Sequence, residues 1–200
     1  MSADTQFHVH HDAPEVVGRR ERLGVRLLIV ADGAFLFGMI FTFFYLKNLN
    51  NGGGWLPPDR KHMFSVASAW VGALPLVIAF ISHKMGQRNL KAIGNFSIIT
   101  FISLIVGLVY QLNQMGSMHF IDSETHSFQG AYASAWVLMA GANTFHYIIG
   151  SFVALGLVIR ARRASVDPTL EKWRIRIAAS WFTWIAVSGV ICALVLSLAK

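Results

Sequence analysis

A single cysteine, Cys192, rules out an intrachain disulfide, and it lies inside an apolar run where a thiolate metal site has no partners. Charge is also scarce. Asp, Glu, Lys and Arg make up 14% of the chain, where soluble domains carry about 25%. There is no Walker loop, CxxC pair, dinucleotide fingerprint or Ser-His-Asp set. No A-x-A cleavage site follows the first apolar run, which begins near Leu27 and is too long for a signal h-region. These absences argue against a soluble domain, a disulfide-stapled fold and a self-contained catalyst.

What the chain has instead is apolar length: 54% of its 200 residues are hydrophobic. Spanning a bilayer takes about 20 such residues, and five runs meet that length: about Leu27–Leu46, Met63–Ser82, Ile93–Leu112, Ala131–Ile159 and Ile177–Ala199. The pattern predicts an all-α integral membrane bundle of five transmembrane helices, forming one domain over residues 22–200. Residues 1–21 read as a polar tail; His8, His10 and His11 within it allow a metal site or, more simply, a mobile segment. Pro75 removes a backbone donor inside the second span and predicts a kink. Asp167-Pro168 predicts a helix restart with Pro at its first position.

The net charge of +7 is of the sign that suits nucleic acid, but its distribution argues otherwise. Thirteen of the seventeen Lys and Arg fall at one set of span ends, from Arg19 to Arg26, Lys84 to Lys91 and Arg160 to Arg176. The other ends hold only Lys47, Arg60, Lys61 and Lys200. By the positive-inside rule the N-terminus is inside and the C-terminus outside.

Polar groups within the spans are few. Asp32 sits several residues inside the first span, where a carboxylate costs about 2.5–3.5 kcal/mol on insertion scales and so requires an inward face and a partner. It fits a proton-exchanging or lipid-head-contacting group, or equally a structural hydrogen-bonded acid. Asn143 and His146, three residues apart, share one face of the fourth span. His146 suits a haem ligand, a proton relay or a packed core histidine, and no other histidine lies at mid-membrane to join it. Ala140, Gly141, Gly150 and Ala154 supply small surfaces for close helix approach. The aromatic density of the first span, and Trp181 and Trp184 of the last, read as packing or interface anchors.

Several stretches together resemble subunit III of the haem–copper respiratory oxidases, in the short five-helix form of many bacterial enzymes. VADGAFLFGMIFTFFYLK followed by GGGWLPP is similar to the family segment in which an intramembrane acid precedes aromatics and a G-G-x-W-P-P turn. GANTFHYIIGS is similar to the family's G-F-H-G-L-H-V-x-x-G run, with RARR as its basic exit, and Tyr110-Gln111 falls where the family has Tyr-Glu. The departures are equally definite. Asp32 replaces the usual Glu, Asn143 the first His, and Gln111 the acid; Trp181 is followed by Phe-Thr-Trp-Ile, not by H-F-V-D.

The resemblance implies a non-catalytic subunit of a terminal oxidase in a bacterial inner (plasma) membrane. It would support assembly, lipid binding and sustained turnover of oxygen reduction. Haem and copper would sit on partner subunits, with the catalytic subunit I and other oxidase subunits as neighbours. Membrane lipids would be further partners, bound phospholipid the only expected small molecule, and no metal, cofactor or catalytic residue is assigned to this chain. Asp32, His146, Asn143 and Gln111 are the candidate intramembrane polar or lipid-cleft residues. The alternatives are a subunit III-like component of a nitric oxide reductase, or a small transporter or scaffold; a transporter would favour several intramembrane charges or broken helices.

Overall fold

The bundle is built from helices whose ends follow local chemistry. The computed structural model describes residues 12–49, 55, 65–117, 130–161 and 168–198. These form α1 (Pro14–Asn48), α2 (Val66–Arg88), α3 (Ile93–Gly116), α4 (Gly130–Ala161) and α5 (Pro168–Ser197), with one 3-10 turn, Leu90–Ala92, joining α2 to α3. All five helices are long and apolar enough to cross a membrane, and the chain reads as a multi-pass membrane protein. Ser65 caps α2 by accepting the Ser68 backbone N–H at 3.1 Å. Pro168 opens α5, the restart that the Asp-Pro pair predicts.

One boundary differs from expectation. α1 begins at Pro14, so residues 14–21 are helical and not part of a mobile tail. Pro14 supplies the fixed φ suited to a first turn, and Glu15 meets the positive helix end. Tertiary contacts then hold these turns. Gly18 lies against the Trp173 ring, and Glu21 faces Arg174 at 3.8 Å. The three tail histidines lie outside the described residues.

Contacts at the helix ends show an alternating arrangement. At one end Gly18 meets Trp173, Gln87 donates to the Ile175 carbonyl, and Gly94 adjoins Ala161. The starts of α1, α3 and α5 therefore share a level with the ends of α2 and α4. At the opposite end Trp70 Nε1 donates to Ser197 Oγ at 3.2 Å, and Lys47 Nζ donates to the Leu198 carbonyl. The described basic residues other than Lys47 gather at the first end, which makes the charge asymmetry a property of the fold. We expect reporter fusions to place Met1 and the 160–176 segment in the cytoplasm and Lys200 outside. A cytoplasmic C-terminal reporter would remove this orientation.

Two apolar clusters stack along the bundle. The one toward the basic end is centred on Leu76, Leu104, Tyr147, Trp181, Phe182 and Ile185. The other gathers Leu36, Met39, Phe43, Trp55, Trp136 and Cys192. Close approach needs small residues: a Cβ on Gly107 would collide with the Tyr147 ring, whose hydroxyl donates to the Gly72 carbonyl. On α4, Ala140 and Ala154 are buried and Gly150 receives Ile185 and Leu104, as small contact surfaces should. Gly141 does not: nothing lies within 4 Å of its missing side chain, because it borders a cavity and not a helix. Pro75 stands inside one continuous α2, with Ser103 Oγ donating to its carbonyl at 2.8 Å.

Candidate functional site

Where the two apolar clusters meet, α1, α4 and α5 bring one polar group each, and α5 a second. Asp32 lies between Ile29 and Leu36 on α1, facing the bundle with a side chain 9% exposed. His146 Nε2 of α4 lies 2.8 Å from Asp32 Oδ2, and Trp184 Nε1 of α5 donates to the same oxygen at 2.5 Å. On the far side of the ring, His146 Nδ1 lies 3.2 Å from Ser188 Oγ, which donates to the Ile185 carbonyl at 3.0 Å. Trp181 closes the pocket edge-on, its ring centroid 6.0 Å from that of His146.

The hydrogen inventory of this chain of contacts is constrained. An indole can only donate, so Asp32 Oδ2 accepts from Trp184. Ser188 has one proton, used on Ile185, so at its contact with the imidazole it accepts from Nδ1–H. One proton then remains for the Asp32–His146 contact. Whichever partner holds it, the cluster is electrically neutral, which is what an apolar surround demands. Both imidazole nitrogens are engaged, so ligating a haem iron would require His146 to surrender one of these bonds. Among the described residues no three His, Cys, Asp or Glu side chains are grouped as a metal site would need.

Asp32 also borders a cavity of 520 Å³ between α1, α3 and α4, with Phe35, Met115, Gly141 and Phe145 in its wall. A second opening lies toward the basic end. This groove of 420 Å³ runs between α1, α4 and α5, walled by Val25, Leu28, Phe152 and Leu157, with Glu21, Arg160 and Arg174 at its mouth. Arg174 Nη1 lies 3.1 Å and Arg160 Nη1 3.4 Å from Glu171 Oε1. An apolar slot ending in guanidinium groups has the polarity of a phospholipid.

The other two candidates lie apart from this cluster. Gln111 is buried on α3 against Gly72 of α2, and Asn143 is buried on α4 with its Oδ1 unpartnered among the described residues. The register that sets Gly107 on Tyr147 and Gly150 on Leu104 brings both to one level of the α3–α4 seam. Two participants escaped the sequence reading. Trp184, read as packing, is a donor to the buried acid, and Ser188 carried no signal beyond being a hydroxyl one turn past Trp184. His83, placed near a span end, is buried, with Nε2 3.0 Å from the Ile175 carbonyl.

No family model matches the chain. Comparison with curated proteins is informative. Over 157 residues it is 26% identical to quinol oxidase subunit 3 of Bacillus subtilis (strain 168), covering 76% of this chain and 74% of the relative. This chain is similar to oxidase subunit 3. The likeness extends to cytochrome c oxidase subunit 3 of Latimeria chalumnae, 25% identical over 167 residues, or 78% of this chain and 60% of that one. It also extends to the probable cytochrome c oxidase subunit 3 of Mycobacterium tuberculosis (strain ATCC 25618 / H37Rv), 24% identical over 165 residues, or 78% and 79% of the two chains. Both Asp32 and His146 belong to the stretches whose motifs carry the resemblance.

Proposed function

We propose that this chain is the subunit III-like, non-catalytic membrane subunit of a haem–copper terminal oxidase in a bacterial inner membrane. The observation that carries the reading is the similarity to subunit 3 of both quinol and cytochrome c oxidases over about three quarters of the chain. The geometry supports it. The Asp32, His146, Trp184 and Ser188 cluster is neutral and its contacts are met from within it, a design that braces three helices. Haem and copper then belong to partner subunits, the catalytic subunit I foremost. The groove between α1, α4 and α5 holds phospholipid, whose retention helps the assembled complex to keep turning over.

The test is purification of the tagged full chain in mild detergent, with an optical spectrum and identification of what accompanies it. The expected result is a haem spectrum that travels with a catalytic subunit, while the chain stripped of partners shows none. Purification alone, with no haem protein attached, would overturn the reading. So would a Soret band in the pure chain that vanishes in His146→Ala.

A further inference from the structure

The Asp32 cluster leaves one of its own oxygens unused. His146 Nε2 and Trp184 Nε1 both converge on Asp32 Oδ2, and among the described residues Oδ1 has no hydrogen-bond partner. The one mobile proton of the cluster sits in the Oδ2–Nε2 contact, so Oδ1 is an acceptor whichever group holds it. The side chain is nine-tenths buried, 9% exposed, and it lines the 520 Å³ cavity between α1, α3 and α4. With Oδ2 turned to α4 and α5, Oδ1 is the atom left for that cavity. Every other side chain in the wall is apolar, among them the Phe35 and Phe145 rings and the Met115 thioether.

An apolar and aromatic cavity with one placed polar atom is the kind that takes a small organic ligand. Its polarity narrows the class. The cluster is neutral as a whole and no Lys or Arg reaches the wall, so neither a cation nor an anion would find a counter-charge there. The carboxyl stands near the middle of the 35-residue α1, whereas phosphate groups lie at the edges of a hydrocarbon core about 30 Å thick. The ligand is therefore uncharged and brings an O–H or N–H donor to Oδ1. The phenyl rings and the thioether favour an aromatic frame, through ring–ring and sulfur–ring contacts. Phe35 and Phe145 are also exposed at the outer surface of the bundle, so the way in is from the membrane.

We infer that this cavity seats a neutral, membrane-soluble hydroxyarene, a phenol or quinol ring on an apolar tail, whose hydroxyl donates to Asp32 Oδ1. The event is binding alone. An acceptor-only site prefers a quinol to its quinone, because the oxidised ring carries acceptors and no donor. The inference rests on the membrane reading of the chain and not on its place in an oxidase.

The full chain in phosphatidylcholine nanodiscs is offered tritiated decylhydroquinone under argon, with empty nanodiscs giving the partition background. Saturable binding above that background is expected. Decylbenzoquinone and decyl-dimethoxybenzene lack a donor and should bind about tenfold more weakly, the scale of one hydrogen bond to a carboxyl group. The p-decylphenol should stay within about threefold of the hydroquinone, since a second hydroxyl meets no second acceptor. The corresponding cyclohexanol, with its hydroxyl but no aromatic ring, should bind about fivefold more weakly. In Asp32→Asn the single oxygen is held by Trp184, and the preference for hydroquinone over its dimethyl ether should shrink to about twofold. Gly141→Leu puts a side chain into the cavity, where nothing lies within 4 Å of the added Cβ. It should abolish binding without lowering thermal stability.

Equal binding of hydroquinone and its dimethyl ether would reduce the effect to partition into an apolar crevice and overturn the site. Equal binding of the cyclohexanol would overturn the aromatic assignment. Binding that survives Gly141→Leu would place the ligand elsewhere, and a phospholipid that hydroquinone does not displace would make the cavity a lipid seat; either overturns the inference. Binding by the lone chain that vanishes in the tagged complex would show a neighbouring subunit filling the cavity, and overturn it too. Failure of the membrane reading would look different: the chain would stay in the aqueous fraction when membranes are pelleted.

Discussion

Asp32→Ala is expected to destabilise the detergent-solubilised chain by about 3 kcal/mol, and Asp32→Asn by only about 1 kcal/mol. Removing one member of a buried pair usually costs about 3–5 kcal/mol, and the lower end applies because chains unfolded within a membrane find substitute partners. Alanine strands two groups at once, the Trp184 indole donor and the His146 Nε2 acceptor. Asparagine does not. Its oxygen accepts from Trp184, its amide donates to Nε2, and Nδ1–H still reaches Ser188, so the neutral cluster keeps its bonds at the cost of imperfect geometry. Thermal unfolding of the three proteins in one detergent measures both differences. Equal losses for Ala and Asn would show that the carboxylate's charge matters here, and not its hydrogen bonds.

The second large effect is on endurance in the assembled oxidase. With Asp32→Ala, the initial rate of oxygen uptake per haem should stay within about threefold of wild type, because a catalytic acid or base contributes about a hundredfold or more. The number of turnovers before inactivation should fall, since a loosened α1 opens both the Asp32 cavity and the groove that its helix walls. Oxygen uptake followed from first turnover to exhaustion separates the two quantities. An initial rate down a hundredfold in a fully assembled complex would sink the supporting-subunit reading; Asp32→Asn should match wild type in both.

Much of the fold was legible because a bilayer imposes length and polarity rules that leave direct marks in sequence. The five spans, the clustering of cations and the restart at Pro168 all follow from those marks. The penalty on an intramembrane acid likewise forces Asp32 inward, which periodicity alone would not. Its partners were hidden for a different reason. His146 and Trp184 lie 114 and 152 residues away, and nothing local announces which face of α5 turns toward α1. Trp184 was obscured further by the ambiguity of its side chain, which is mostly hydrocarbon yet carries one donor. The early start of α1 escaped because its first two turns are polar, and contacts with α5, not hydropathy, keep them helical. Gly141 looks like a helix-contact glycine by spacing; only the third dimension shows that it faces a cavity.

The long separation within the Asp32 cluster also sets a schedule for making this protein. A ribosome adds roughly 5–20 residues per second, so on the order of ten seconds pass between the emergence of Asp32 and that of His146, 114 residues later. Through that interval α1 carries its acid with no intramolecular partner, while α2 and α3 can already close on each other through Ser103–Pro75 and Tyr110–Ser68. The newborn first helix must therefore wait at the insertion machinery, or cross with its acid protonated, until α4 and α5 arrive. A truncation before Trp184 should leave Asp32 without its indole donor, and such a chain is expected to be degraded faster in the membrane than the full chain.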